Sequence, residues 1–239
     1  MKRYIELDIL KGFAVICMVI FHIYYFPNQY GYKEIEYDTP LLKTVAKIAQ
    51  IIFITCVGIN LVLSKQKHGS ININRIVKLI FLAACMSIFT YFVFDDKYVK
   101  FGILHFIAVV SIFFVPFIDD IRKIHFISLL LVVLFLLMKK SPELFLKVKQ
   151  PLAFIMGFYN DRYHSIDHFS IIPWIFVVLF GIYIGHYLIN SNYTSSVDIS
   201  EYPFINTLSK TGEYSLEVYV LHWVILYIYY VYIYKSTVI

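Results

Sequence analysis

The chain has 239 residues, of which 60% are hydrophobic and 19% aromatic, and its mean hydropathy is +0.72. Soluble domains carry about 45–50% apolar residues, so this composition excludes an ordinary soluble domain and predicts an integral membrane protein. Lys and Arg outnumber Asp and Glu by 21 to 16, but the basic residues are spread among the loops, so we expect no nucleic-acid partner.

The first apolar run, at residues 9–26, continues through bulky side chains without a small-residue cleavage site, so we interpret it as a retained helix and not a signal peptide. Cys17, Cys56 and Cys85 lie in apolar runs without paired spacing, so neither a disulfide framework nor a metal site is predicted. The sequence also lacks a phosphate-binding glycine loop and the HExxH and GxSxG motifs.

Seven apolar runs are candidates for membrane-spanning helices. In chain order they cover residues 9–26, 45–63, 76–94, 102–118, 124–138, 170–189 and 214–234. The predicted fold class is therefore an all-α integral membrane bundle of about seven transmembrane helices, within a range of six to eight, forming one domain over residues 1–239. A further stretch, 144–158, is apolar at both ends but interrupted by lysines and a proline, which favours an interfacial or re-entrant segment.

The charges of the first loops predict the orientation. The basic residues on the amino-terminal side of the first spans are Lys2, Arg3, Lys65, Lys67, Arg75 and Lys78, whereas the first loops of the opposite side mix lysines with acidic residues. Because cytoplasmic loops carry an excess of Lys and Arg, we expect a multi-pass protein of the cell membrane with a cytoplasmic amino terminus.

Three ionisable residues form a stripe along the first helix. An α-helix turns by about 100° per residue, so Lys11 and His22 lie within about 20° of one line, and Asp8 is about 40° from it. Lys11 and His22 are separated by about 16 Å of helix rise, so they share a face without contacting each other. Lys11 is also interpretable as a snorkelling anchor, Asp8 as a helix-start charge and His22 as a helix-to-helix hydrogen bond.

Further polar residues occur in or beside apolar runs. His222 lies in the last run with Ser215 and Tyr219 on its face, and His105 lies near the start of the fourth run. The connection before the sixth run carries Asp161, Arg162, His164, Asp167 and His168. Intramembrane ionisable residues tend to face interior cavities, which favours histidine chemistry in a membrane cavity, although the connection also fits a solvated loop.

The spacing of Lys11 and His22 within LDILKGFAVICMVIFH closely resembles the signature of transmembrane acyltransferases. Four later blocks resemble successive parts of the bacterial relatives of the heparan-α-glucosaminide N-acetyltransferase catalytic domain. They are IFITCVGINLVL (52–63), FGILHFIAVVS (101–111), HFSIIPWIFVVLFGIYIG (168–185) and TGEYSLEVYVLHWVIL (211–226).

This resemblance implies an enzyme that moves an acetyl group from cytoplasmic acetyl-CoA, its acyl donor, to a hydroxyl or amine of a sugar or glycolipid-like acceptor across the membrane, without a metal. His22 would be the general base or carry the acyl group, and Lys11, oriented by Asp8, would hold the thioester carbonyl or a phosphate. Lys65, Lys67 and Arg75 would suit the CoA phosphates. His105, His222, Asp167 and His168 are further candidates for the active or acceptor site. Membrane lipid is a further expected partner, and a homo-oligomer stays open.

Two other readings of the same residues remain. In the first, Asp8, Lys11, His22, His105 and His222 line a polar path through a transporter or channel-like protein. In the second, the protein is a non-catalytic scaffold whose buried polar residues are hydrogen-bonded helix contacts worth about 1 kcal/mol each.

Overall fold

The computed structural model describes residues 4–30, 36–69, 72–141, 152–158, 164–191, 193 and 202–234. In chain order its helices are α1 (Ile5–Gln29), α2 (Pro40–His68), α3 (Ile73–Phe94), α4 (Ile103–Phe114), α5 (Ile121–Lys140), α6 (Leu152–Met156), α7 (Ile171–Asn190), α8 (Pro203–Glu213) and α9 (Ser215–Ile228). A 3-10 turn, Asp95–Lys97, follows α3, and a π-helical segment, Tyr229–Tyr234, extends α9. The described residues contain one isolated bridge, between Phe101 and His168, and no strand.

Six of the described helices are long and apolar enough to cross a membrane, namely α1, α2, α3, α5, α7 and α9 with its extension. Large apolar side chains on these helices point outward, as with Phe92, which is 81% exposed, and Phe81, which is 65% exposed. Asp8, in contrast, is only 5% exposed. This distribution is the one expected of a protein surrounded by lipid, and the predicted all-α multi-pass membrane bundle is confirmed.

The fourth predicted run differs from the others because its helix, α4, has only 12 residues. It runs antiparallel to α3: His105 at its start contacts Ser87, and Ser111 near its end shares a pocket with Arg75. Beyond Phe114 the run continues through hydrogen-bonded turns to Asp120. The run therefore follows α3 over about 18 Å, although less of it is helical than the hydropathy suggested.

The chain divides into two compact units, and each is described by itself. The terminal unit comprises Met1–Cys56 and Tyr193–Ile239, and the central unit comprises Val57–Asn192. Of the 144–158 stretch, residues 144–151 lie outside the described residues, and α6 follows them. Asp161 and Arg162 also lie outside the described residues.

In the terminal unit, two glycines let α1 and α8 cross with their backbones in contact. A Cβ atom on Gly212 would overlap the carbonyl oxygen of Asp8, and one on Gly12 would overlap that of Leu208. The pairs 8 with 212 and 12 with 208 make the two helices antiparallel, and after Tyr214 the chain reverses into α9. Helix α9 therefore runs parallel to α1, and the Tyr230 hydroxyl donates to the Ile23 carbonyl at 2.7 Å.

In the central unit, a close helix contact and a backbone strap position α4. The second half of α2 lies against α7, where a Cβ atom on Gly58 would overlap the Val178 carbonyl oxygen. Residues 97–103 pair with residues 164–170, with Ile166 N donating to Lys97 O at 2.7 Å and Phe169 N donating to Phe101 O at 2.9 Å. This strap fixes the loop that leads into α4.

Candidate active site

His22 and His222 meet in the terminal unit. Nδ1 of His22 on α1 lies 2.9 Å from Nε2 of His222 on α9, and the ring centroids are 4.9 Å apart with planes inclined by 21°. The two residues are 200 positions apart in the chain. The parallel arrangement of α1 and α9 thus joins two of the residues that the sequence singled out.

The partners of His222 define which nitrogen of each neutral ring carries the proton. Nδ1 of His222 lies 3.2 Å from the carbonyl oxygen of Val218, and a carbonyl can only accept, so this nitrogen carries its hydrogen. Nε2 of neutral His222 is then an acceptor, and Nδ1 of His22 must donate to it. This chain of hydrogen bonds leaves the lone pair of His22 on Nε2, which is the form that a general base requires.

Aromatic rings hold the orientation of His22. The ring of Phe26 stacks on it at 4.9 Å with an interplanar angle of 19°, and the indole of Trp223 lies 5.6 Å away at 56°. Phe26 is 0% and Trp223 1% exposed. The indole Nε1 of Trp223 is buried without a hydrogen-bond partner. The imidazole is thus fixed by packing on one side and by the His222 hydrogen bond on the other.

Asp8, which the resemblance expects to orient Lys11, forms an ion pair with it. Nζ of Lys11 lies 2.6 Å from Oδ1 of Asp8, and the side chains are only 17% and 8% exposed. The pair sits where α8 crosses α1, one turn before Gly12. It is about 16 Å of helix rise from His22, so Lys11 cannot act on the same atom as His22 while α1 is intact. Their proposed roles must therefore concern different parts of a ligand.

In the central unit, both ring nitrogens of His105 make hydrogen bonds at the start of α4. Its Nδ1 accepts from the Gly102 N–H at 3.3 Å, so its Nε2 carries the hydrogen and lies 3.2 Å from the Ser87 hydroxyl oxygen. That hydroxyl in turn donates to the Val99 carbonyl at 2.6 Å. These contacts anchor the first turn of α4, and the predicted role of His105 in catalysis stays a prediction.

Asp167 and His168 also contact the segment that leads into α4. The Asp167 carboxylate accepts from the Ile103 N–H at 3.3 Å, which satisfies a free donor at the helix start. The His168 ring lies on that of Phe154, with 3.7 Å between centroids. Burial lowers the pKa of His168 to about 4, against a smaller opposite effect of a backbone hydrogen bond at Phe101. Their predicted role in acceptor binding stays a prediction.

A basic pocket lies in the central unit, where α2 ends and α3 begins. Its lining residues are Leu61, Ser64, Lys65, Asn72, Arg75, Ile76, Leu79, Ser111 and Val115. Asn72 caps α3 by accepting from the Arg75 N–H at 3.1 Å. Lys67 is exposed on the last turn of α2 and does not line the pocket.

One of the two positive charges of this pocket is balanced by a carboxylate that does not line it. Nζ of Lys65 lies 3.2 Å from Oδ2 of Asp119, a residue that no sequence pattern selected. No carboxylate of the described chain pairs with the Arg75 guanidinium. A pocket with two cations, hydroxyl and amide groups and a helix amino terminus has the donors that phosphate groups require.

Metal-ligating residues do not cluster in the described part of the chain, where no group of three or more His, Cys, Asp or Glu could hold an ion.

The fold defines the class: a multi-pass membrane protein, in which a histidine of α1 contacts a histidine of α9. A family model described as "Heparan-alpha-glucosaminide N-acetyltransferase, catalytic" matches residues 3–224. The chain therefore belongs to this family of membrane acetyltransferases, and the resemblance predicted from its sequence blocks is confirmed. Comparisons with curated proteins and with solved structures give no match.

Proposed function

We propose that the protein is an acetyl-CoA-dependent transmembrane acetyltransferase that modifies a hydroxyl or amine of a sugar-containing acceptor. The observation that carries this proposal is the hydrogen bond between His22 and His222, because it leaves a basic nitrogen, Nε2, on His22. Membership of the family supplies the reaction class. The acetyl donor and the sugar acceptor are part of the proposal.

His22 is the general base of the proposed reaction. The donor supplies an acetyl group activated as a thioester. Nε2 of His22 takes the proton from the attacking hydroxyl or amine as the new bond to the acetyl carbon forms and the carbon–sulfur bond breaks. The positive charge on His22 is stabilised through its Nδ1–H, which donates to His222, and His222 in turn donates to the Val218 carbonyl. His22 then returns the proton to the sulfur of the leaving thiolate.

The basic pocket suits the phosphate groups of the donor. CoA carries several phosphates, and Lys65 and Arg75 both line the pocket, with Lys67 adding positive charge nearby. Arg75 can bind a phosphate through two parallel hydrogen bonds. Lys11, which is paired with Asp8, is proposed to contact a part of the donor other than the atoms on which His22 acts.

The proposed orientation has the amino terminus in the cytoplasm. The pocket lies at the end of α2, and Lys65 and Lys67 there are the kind of basic residues that the positive-inside rule expects on the cytoplasmic side. In this proposal the donor pocket faces the cytoplasm, where acetyl-CoA is made.

The test is release of free thiol and acetyl transfer from radiolabelled acetyl-CoA by the purified protein in detergent. Acceptors with an amine, such as glucosamine, and with only hydroxyls, such as a glucoside, separate the two acceptor classes. His22→Ala should abolish transfer, whereas His125→Ala, which alters an exposed histidine of α5, should retain it. Full transfer by His22→Ala would contradict the assignment. Substrate uptake into vesicles without any acetyl transfer would instead support the transporter.

A further inference from the structure

Lys65 divides its contacts between the basic pocket and a surface carboxylate. It lines the pocket, and its ammonium contacts the Asp119 carboxylate at 3.2 Å. The Lys65 side chain is 20% exposed and that of Asp119 is 65% exposed. Asp119 thus reaches from the solvent side toward a cation that also faces the pocket.

An ion pair of this kind is easily exchanged. Exposed salt bridges contribute little to stability, since water and salt screen the charges and both side chains lose freedom. A phosphate group carries more charge than a carboxylate and would at the same time contact Arg75 and the amino terminus of α3. A phosphate in the pocket should therefore displace Asp119 from Lys65.

We propose that Asp119 is a specificity-determining residue that holds Lys65 at the pocket until a phosphate of the acyl donor displaces its carboxylate. The identity of the donor in this proposal rests on the proposed function. What is new is that the Asp119 carboxylate and a phosphate of the donor compete for Lys65. Asp119 lowers the affinity for the donor, and it disfavours molecules that lack a phosphate able to compete for Lys65.

The next residue provides a matched control. Asp120 accepts from the Arg122 N–H at 2.9 Å and so caps α5, and its side chain also contacts Nε of Arg122 at 3.4 Å. Changing either aspartate to asparagine removes one negative charge at nearly the same place, and asparagine is itself a good cap. Only Asp119→Asn frees Lys65.

The experiment measures the dissociation constant of CoA for the full-length protein in detergent by titration calorimetry. Asp119→Asn should tighten CoA binding about two- to fivefold, which corresponds to loss of an ion pair of at most about 1 kcal/mol. Asp120→Asn should change it less than Asp119→Asn does. The gain should shrink at high salt, since screening weakens exposed ion pairs. Dephospho-CoA, which lacks the 3′-phosphate, shows whether that phosphate is the one that competes.

The outcomes separate this proposal from the proposed function. If Lys65→Ala and Arg75→Ala weaken CoA binding but Asp119→Asn does not tighten it beyond Asp120→Asn, the role of Asp119 is refuted and the donor pocket stands. If neither Lys65→Ala nor Arg75→Ala weakens CoA binding, the pocket does not bind the phosphates of the donor. The assignment of the donor pocket and the role of Asp119 then both fail. Absence of CoA binding by the wild type overturns the acetyl-CoA donor as well.

Discussion

Replacing His222 by phenylalanine tests whether the second histidine sets the state of the first. Phenylalanine retains an aromatic ring beside His22, where the two centroids are now 4.9 Å apart. It removes Nε2, which accepts from His22 at 2.9 Å. The variant therefore separates ring packing from hydrogen bonding.

The expected loss follows from the hydrogen bond that is removed. A donor left without its partner in a buried place costs about 1–3 kcal/mol. If this energy holds His22 in the tautomer with a free Nε2, its loss lowers the rate of transfer by about 5- to 150-fold, at a factor of ten per 1.4 kcal/mol. The donor contacts in the basic pocket are unchanged, so the loss should appear in kcat and not in KM for acetyl-CoA.

The assay compares the kinetics of acetyl transfer in the wild type and in His222→Phe, with His125→Phe as the control at an exposed position of α5. Thermal unfolding of each protein checks that the variants are folded. Transfer by His222→Phe within twofold of the wild type would refute the reasoning. A loss of equal size in His125→Phe would show that the effect is not specific to the pair.

Three further predictions concern stability, each measured by thermal or denaturant unfolding in detergent. Lys11→Met leaves the Asp8 carboxylate, 5% exposed, without its cation and should lower the free energy of unfolding by about 3–5 kcal/mol. The double variant Lys11→Met with Asp8→Asn should recover most of this loss. Equal losses in the single and the double variant would contradict a coupled pair. Gly212→Ala places a Cβ atom against the backbone of α1 and should lower the free energy of unfolding by about 1–3 kcal/mol or more. Thr207→Ala, on the exposed surface of α8, should lower it less. Unchanged stability of Gly212→Ala would contradict the close crossing of α1 and α8. Burial lowers the pKa of His168 from 6.5 to about 4 in the folded protein, so between these pH values the unfolded chain binds a proton that the folded protein does not. The wild type should therefore lose stability relative to His168→Phe as pH falls from 6.5 to 4. A difference in stability between the two proteins that does not change with pH would contradict the buried neutral ring.

Hydropathy predicted most of the fold because a membrane-spanning helix needs a long apolar run whatever its neighbours are. Six predicted runs form long helices. The run at 102–118 forms a short helix followed by turns, since its start is set by the strap of residues 97–103 and 164–170. That strap depends on backbone pairing between segments more than sixty residues apart, which no local pattern encodes.

The candidate site was predictable where the pattern is local. The sequence predicted that Asp8 and Lys11 lie along one stripe of the first helix, and the two side chains form an ion pair one turn apart. The contact of His22 with His222 depends on the parallel course of α1 and α9, which Gly12 and Gly212 permit by a close crossing of α1 with α8. Asp119 gave no signal because it lies in a turn and its partner, Lys65, is on α2, far away in the sequence. A chain read alone does not show such contacts between distant residues.

The most direct test of the central claim places donor and acceptor on opposite sides of a membrane. The protein is reconstituted in sealed proteoliposomes with the acceptor enclosed and radiolabelled acetyl-CoA, which does not cross the bilayer, added outside. We expect labelled acceptor inside vesicles that contain the wild type, and none with His22→Ala. Labelled acceptor with His22→Ala, or none with the wild type from either side of the membrane, would contradict the account.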